Sequence, residues 1–424
     1  MNAQLFNEPM VSGVDPMQVD MASHLQQTPL HLAPVRAKAV DLDFDGGRLS
    51  SDAGLILLKD IDEQLGLTRH LAAVLSDPRE ARRVKFTLHD LVKQRVFQIA
   101  AGYEDANDSN TLRDDPIFKL MLDRLPETGD PLASQPTISR FENGVSRTEL
   151  YRMALVLLDQ FIASYARAPE VIVLDVDDTE DRVHGAQEQA RYDGYYGDYC
   201  FLPLHLYEGL SGRLITTIFK AKRFTGAQML AVLKRLVKRL RHAWPQTLLI
   251  FRGDSHFAYP EVMQWMEAQL ELSYVTGLTS NAVLKELARE VVEQAKRAYA
   301  YSGRKVTRFH STRYQTATWA RARQVVIKVE VSEQGVNTRF VVTDMEQART
   351  QVVYRQLYCA RGQAENEIKD HKLYLKSDRT SCHRFEANQL RLFLHSAAYV
   401  LLETLRREVL RTTQWACATM ETIQ

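Results

Sequence analysis

The sequence is poor in cysteine. Its 424 residues hold four, Cys200, Cys359, Cys382 and Cys417. They are widely spaced and form no CxxC pair, which argues against a disulfide framework or a closed zinc site and fits a reducing cytoplasm. Cys382 and His383 are adjacent, but two ligands do not close a metal site. Net charge is nearly absent as well: 54 basic residues against 53 acidic ones leave +1, so overall charge selects no class of partner. No apolar run approaches the length of a bilayer span, and no basic segment followed by an apolar one marks a secretory signal. No internal repeat is present. What remains is the composition of an ordinary globular protein, 45% hydrophobic and 25% charged, long enough for about two to four domains with a buried core.

Acidic residues are missing locally in two places. Between Lys220 and His242 stand Lys220, Lys222, Arg223, Lys234, Arg235, Lys238, Arg239 and Arg241 with no Asp or Glu. Between Gln294 and Val329 the acids vanish again, while basic residues from Lys296 to Lys328 interleave with Tyr299, Tyr301, Phe309, Tyr314 and Trp319. The first run by itself reads as a solvated face. Together, basic side chains mixed with aromatics are what a polyphosphate with stackable bases attracts.

Periodicity divides the chain into five parts. Residues 1–40 are polar and aperiodic, and are expected to form a flexible arm. Residues 41–160 read as helical: Gly54–Leu65 is apolar at helical spacing, and Thr87 with Asp90 forms a capping-box signal that ends at Gly102. QPTISRFENGVSR (135–147) predicts a short helix from about Thr137 to Gly144. Its Ser139, Arg140 and Asn143 suit a DNA groove, and its Ile138 and Phe141 equally suit a connector packed on the core. At Val171 the pattern changes to VIVLDV, the continuous apolar run of a strand buried on both faces. Strands at 203–209 and 213–219, a helix at 225–242, a strand at 247–251, a helix at 259–270 and a strand at 272–278 complete a mixed α/β layer over 161–279. A β-rich insertion spans 280–350, with a helix at 283–298 and the hairpin RQVVIKVEV/TRFVVTD. Residues 351–424 return to helices, one carrying YCARGQAENEIKDHK and a long apolar one at about 384–411.

Acidic residues collect at two strand ends: Asp175, Asp177 and Asp178 in LDVDDT, and Asp254 in RGDS. Carboxylates at the C-terminal ends of neighbouring buried strands converge outside the sheet, where open α/β folds bind ligands, and hard oxygen donors there suit Mg²⁺ or Mn²⁺. A third acid comes from the later helix. If 351–374 is one α-helix, a turn of about 100° per residue puts Tyr358, Arg361, Glu365 and Lys372 within an arc of roughly 60°. Lys369 shares that stripe, and Glu367 points to the opposite side, so its replacement by alanine is expected to be nearly neutral. Strand alternation puts Asp175 and Asp177 on one face and Asp178 on the other.

Two resemblances compete for these residues. LDVDDT resembles the DxDxT nucleophile motif of haloacid-dehalogenase-type phosphatases, with Asp175 as nucleophile, RGDS as the later acid and Lys220 or Lys222 as the lysine. The later motif lacks its second acid over His256–Tyr259, and this reading leaves Glu365 unused. The other uses every feature. Asp178-Thr179, Asp254 in RGDS and the Tyr-x2-Arg-x3-Glu-x6-Lys spacing of Tyr358, Arg361, Glu365 and Lys372 resemble the three signatures of bacterial DDE transposases. With RGDSHF, RGQAENEIKD and DRTSCHRFEANQLRL the chain is similar to the insertion-sequence family 1380, closely over 170–410 and more loosely toward the N-terminus.

That resemblance implies a ribonuclease-H-like core with a β-rich insertion, and a helical N-terminal domain that binds DNA ends. It implies Asp178, Asp254 and Glu365 as the metal-binding catalytic triad, Asp178 being chosen because the family's first acid directly precedes Thr. Tyr358, Arg361, Lys369 and Lys372 are expected to contact DNA, and Arg252 in RGDS is grouped with them. His256, just after Asp254, is a candidate to support that acid, though a packing or surface role is the first expectation. Two Mg²⁺ ions about 4 Å apart would clamp the attacking and leaving oxygens of a phosphodiester, with Mn²⁺ substituting. The implied activity is cut-and-paste transposition by a homodimer bound to terminal inverted repeats and then to target DNA, associated with the bacterial nucleoid. A catalytically inactive DNA-binding derivative and a structure-specific nuclease are the remaining alternatives.

Overall fold

The computed structural model describes Leu30–Val35, Lys38–Leu42 and residues 49–424. The flexible arm expected over 1–40 lies largely outside the described residues. Where it is described, it is not aperiodic: Leu30–Val35 (β1) pairs antiparallel with Lys38–Leu42 (β2). Leu30 stands opposite Leu42 and Leu32 opposite Val40, an apolar period of two too short to stand out from its polar surroundings.

Residues 50–424 form a separate unit. It begins with helices Leu55–Leu65, Leu67–Ala73, Leu88–Ala100, Pro116–Met121, Gln135–Asn143 and Arg147–Ala163. Thr87 and Asp90 make the expected reciprocal capping box, each side chain bonding the other's backbone N–H at 3.0 and 2.8 Å. The chain leaves that helix through Gly102 at φ 91°, a conformation that costs glycine little. These helices do not close a core alone. Leu91, Val96, Phe97 and Met153 share one with Leu390, Phe393, Leu394 and Leu401 of the C-terminal helix Phe385–Thr404. That helix is buried nearly all round, its polar Asn388, Arg391, His395 and Ser396 included, because it is wedged between the N-terminal helices and the sheet.

The sheet starts with Val171–Asp178 (β3). Asp181–Arg182 (β4), Arg191–Asp193 (β5) and Asp198–Phe201 (β6) make a small three-stranded sheet beside it, in the order β4-β6-β5. Leu204–Glu208 (β7), Leu214–Ile218 (β8), Leu248–Gly253 (β9) and Leu272–Leu278 (β10) continue the main sheet. Val306–Tyr314 (β11), Arg323–Ser332 (β12) and Gly335–Thr343 (β13) extend it, giving eight strands in the order β11-β12-β13-β10-β9-β3-β7-β8. β9 runs parallel to β3 and β10, and the other pairs are antiparallel.

Ile172, Leu174 and Val176 of β3 face a core built with the helices Gly226–Ala243, Pro260–Met266 and Ala282–Ser302. Val173, Asp175 and Asp177 face the other way, by alternation. The apolar run VIVLDV thus reads as it does because the strand is central and covered on both sides.

The segment 351–374 is not one regular α-helix. It is wound as a π-helix over Val352–Tyr358, as a 3₁₀ turn over Cys359–Arg361, as α-helix over Gly362–Lys369 and as a π-helix again over Asp370–Tyr374. The winding changes three times between Tyr358 and Lys372, so a uniform 100° step does not describe that stripe. Insertions of π winding interrupt helices most often at functional sites.

Candidate active site

Two strand ends and one helix meet at a cleft. β3 ends in Asp177 and Asp178. β9 leads into Asp254, which caps the short turn Ser255–Phe257 by accepting the His256 N–H at 2.8 Å. The α-helical turn Gly362–Lys369 presents Glu365. Asp177, Asp178, Asp254 and Glu365 line the same cleft, together with Arg361, Lys369 and Lys372.

Each acid has its own partner. Lys220, buried just beyond β8, lies 2.7 Å from Asp178 Oδ2. Burial lowers the Lys220 pKa, with Asp178 opposing the shift. Arg361 donates to Asp177 Oδ2 at 2.8 Å and to Glu365 Oε1 at 3.2 Å, tying the strand end to the helix. Burial pushes the Asp177 carboxyl up to about 6; Arg361 pulls it down, and Asp254 and Asp178 push it further up. Burial opposes the charge of Arg361, but Asp177, Tyr358, Asp254 and Glu365 outweigh it and raise its pKa.

Asp254 Oδ2 lies 2.8 Å from His256 Nδ1, and His256 Nε2 lies 2.7 Å from Arg223 Nη1. A guanidinium only donates, so Nε2 accepts and Nδ1–H donates to Asp254. His256 therefore has more than a packing role. It joins Arg223 to the carboxylate.

The remaining stripe residues reach the cleft from different turns. Lys372 Nζ donates to Thr179 Oγ1 at 3.3 Å and to the Glu180 carbonyl, holding the chain just past the Asp178 end. Tyr358 is half-buried with its hydroxyl over Gly277. A Cβ at Gly277 would lie 2.7 Å from that hydroxyl and 3.2 Å from the Asp254 carbonyl carbon, so the close approach needs glycine. Lys369 is exposed at the rim.

Three sequence expectations are corrected here. Arg252 is not placed to touch DNA: its side chain is 1% exposed, Nε and Nη2 donate to both oxygens of Asp175, and Nη1 donates to the Leu357 carbonyl. The same pairing removes Asp175 as a phosphatase nucleophile, since it too is buried. Burial pushes the Asp175 carboxyl up to about 6, and the hydrogen bonds and charge of Arg252 pull against that shift.

Second, part of the basic-aromatic stretch is engaged by the fold, although Tyr301 stays exposed. Tyr314 and Trp319 are buried, Arg321 and Arg323 pair with Glu267, Arg313 with Glu346, and Lys305 and Lys328 with Glu330. The acids absent from the stretch are supplied by Glu267 just past the helix Pro260–Met266, Glu330 farther along β12 and Glu346 in the turn after β13.

Third, Glu367 points away from the cleft but is not idle. It is 5% exposed, with its carboxylate 2.6 Å from the Tyr399 hydroxyl.

In the sequence Lys220 is a site candidate only as the lysine of the phosphatase reading, Arg223 is only part of a solvated basic run, and Asp177 is set aside in favour of Asp178; all three line or touch this cleft.

The donor set suits a divalent cation: four carboxylates and no thiol, of which Asp177 gains from neutralisation of its acidic neighbours. Among the described residues no three such groups are drawn together tightly enough to hold an ion, and Lys220 and Arg361 are the cations bonded to Asp178, Asp177 and Glu365.

A protein whose sheet carries acids at adjacent strand ends, opposed by a cation-bearing helix, belongs to a class that handles phosphodiesters. The family model described as Transposase DDE domain group 1 matches residues 32–424, and the chain belongs to that family. It is accordingly a transposase. No curated protein matches the chain. Among solved structures, a piggyBac transposase synaptic complex with hairpin DNA is 12% identical with a TM-score of 0.44, over 89% of this chain and 80% of that one. No described helix is long and apolar enough to cross a membrane.

Proposed function

We propose that the protein binds the terminal inverted repeats of an insertion sequence resembling family 1380 and catalyses their metal-dependent cleavage and 3′-OH strand transfer. The observation that carries this reading is the convergence of Asp178, Asp254 and Glu365 on one cleft beside Arg361, Lys369 and Lys372. The strand order β8-β7-β3-β9-β10, three antiparallel strands followed by two parallel ones, supports a ribonuclease-H-like core, with β11–β13 as its insertion. The exposed Arg140 on Gln135–Asn143 supports DNA-end binding by the N-terminal helices. Cutting and joining two ends calls for a homodimer on DNA.

Asp178, Asp254 and Glu365 would hold Mg²⁺, with Mn²⁺ as a substitute. Bound there, the ions supply charge stabilisation to the attacking and leaving oxygens of an in-line displacement. The chain's own residues do the positioning. Arg361, released from Asp177 and Glu365, turns to a phosphate oxygen, and Lys369 and Lys372 hold the flanking backbone. His256 keeps the Asp254 carboxylate oriented by donating from Nδ1. In the first step water attacks phosphorus, the P–O3′ bond breaks and the departing oxygen takes a proton to become a 3′-OH. In the second, that hydroxyl attacks a target phosphorus and displaces a target O3′. No covalent enzyme intermediate is needed.

One observation favours a second assignment of the first acid. Arg361 bonds Asp177 and Glu365 together, whereas Asp178 is paired with the buried Lys220, so Asp177 competes for the role. The test uses the full chain and a duplex ending in the inverted repeat that flanks its gene. Asp178→Ala, Asp254→Ala and Glu365→Ala are each expected to abolish Mg²⁺-dependent cleavage while end binding survives. Asp177→Ala run in parallel decides between the two aspartates. Undiminished cleavage by Glu365→Ala would sink the assignment.

A further inference from the structure

The α-helical turn that presents Glu365 is only eight residues long, Gly362–Lys369, with π winding on its C-terminal side. A helix that short does not hold its own geometry, and tertiary contacts must fix it. Those contacts come from the side opposite the cleft. Glu367, two residues and about 200° from Glu365, is buried between the β7–β8 turn and the C-terminal helix.

Its Oε2 lies 2.6 Å from the Tyr399 hydroxyl, which is also 3.0 Å from the Gly212 carbonyl. Arg406 stands 3.8 Å from the same oxygen and 3.0 Å from Asp370 Oδ2. Tyr207 donates to the Glu367 carbonyl at 3.3 Å. Gly212 completes the seat: a Cβ there would lie 2.7 Å from Glu367 Oε1, and its φ of 72° suits glycine.

We propose that Glu367, held by Tyr399 and Arg406 against Gly212, is a positioning residue that sets the rotation of Gly362–Lys369 and hence the aim of Glu365 into the cleft. The proposal rests on the metal-binding reading of Glu365. It assigns the C-terminal helix and the segment Leu405–Val409 after it a duty beyond core packing, because Tyr399 and Arg406 act on the site from its far side. It also explains why a buried carboxylate is tolerated where an apolar residue would pack at lower desolvation cost.

The test is Mn²⁺ binding to the full chain without DNA, read by titration, alongside urea denaturation. Tyr399→Phe removes the hydroxyl but leaves the ring on Tyr207, with which it makes an edge contact at 5.6 Å. It is expected to stay folded and to weaken Mn²⁺ binding about tenfold, the low end for loss of a group that orients a metal ligand. Glu367→Ala is expected to do the same, and Glu367→Gln, which keeps an acceptor for Tyr399, to recover most of the affinity. Variants that lose stability yet bind Mn²⁺ like the unaltered protein would overturn the positioning role alone. An unaltered protein that binds no more Mn²⁺ than Asp254→Ala would take down the metal reading, and the positioning role with it.

Discussion

Replacing Arg252 by alanine is predicted to damage the centre of the sheet rather than a DNA contact. β3 and β9 place Asp175 directly opposite Arg252. Neither side chain is more than 1% exposed. The guanidinium bonds both carboxylate oxygens, and its remaining nitrogen bonds the Leu357 carbonyl at 2.7 Å, just before the turn that carries Arg361. Gly209 packs against the pair, and a Cβ there would lie 2.5 Å from Asp175 Oδ2.

Alanine leaves a buried carboxylate without a cation, a loss of about 3–5 kcal/mol for a broken buried pair. The orphaned Leu357 carbonyl adds about 1–3 kcal/mol. A typical domain has about 5–15 kcal/mol in all, so this one change brings the protein close to its threshold. Urea denaturation followed by circular dichroism should show a sharply lower midpoint. DNA affinity per folded molecule, and its dependence on salt, should be unchanged. Replacing both Asp175 and Arg252 by leucine removes the unpaired charge and should recover much of the loss. The reasoning is refuted if Arg252→Ala denatures at the same midpoint as the unaltered protein but binds DNA with a shallower salt dependence, since that is the signature of a lost phosphate contact.

Two further outcomes are expected. Trp319 is 5% exposed, meets Tyr314 edge-on at 5.6 Å and carries Arg323 at 4.9 Å over its ring. Trp319→Ala should therefore cost about 3–5 kcal/mol in denaturation without changing DNA affinity per folded molecule, and a weakened affinity at full stability would restore it to the DNA interface. The pKa of His205 is pushed down to about 3 by burial, with Lys372 and Lys220 adding to the shift. Its folded pKa is below its unfolded one, so its stabilising contribution is complete above about pH 6.5 and falls by about 1.4 kcal/mol per pH unit below that. His205→Gln should accordingly lose less stability than the unaltered protein between pH 7.5 and 5.5, and equal losses in denaturation midpoint would refute the assignment.

Local patterns made part of this molecule legible before any contact was known. β3, β9 and β10 stand out because central strands are apolar on both faces, so burial writes itself into consecutive residues. The Thr87–Asp90 box is legible because both partners lie within one turn. Asp178 and Asp254 are legible as candidates because strand ends carry them out of an apolar run. β11 and the small β4–β6 sheet were not: β11 is an edge strand whose residues are mostly exposed or half-buried, and β4 and β5 are two and three residues long.

What the sequence by itself determined is the inventory: buried strands, acids at their ends, and a Tyr-Arg-Glu-Lys spacing. Only the tertiary structure decided the partners. The acid-free stretch from Gln294 to Val329 looked free for DNA, yet Glu267, Glu330 and Glu346 neutralise much of it from outside. Arg252 looked like a neighbour of the site and is locked to an aspartate 77 positions away in sequence. Glu367 looked dispensable because it faces away from Glu365, and that far side holds Tyr399 and Arg406. The reason is common to all three. Periodicity reports which face a residue occupies, but the worth of a charge depends on what the fold brings within a few ångströms of it, and that distance is not written along the chain.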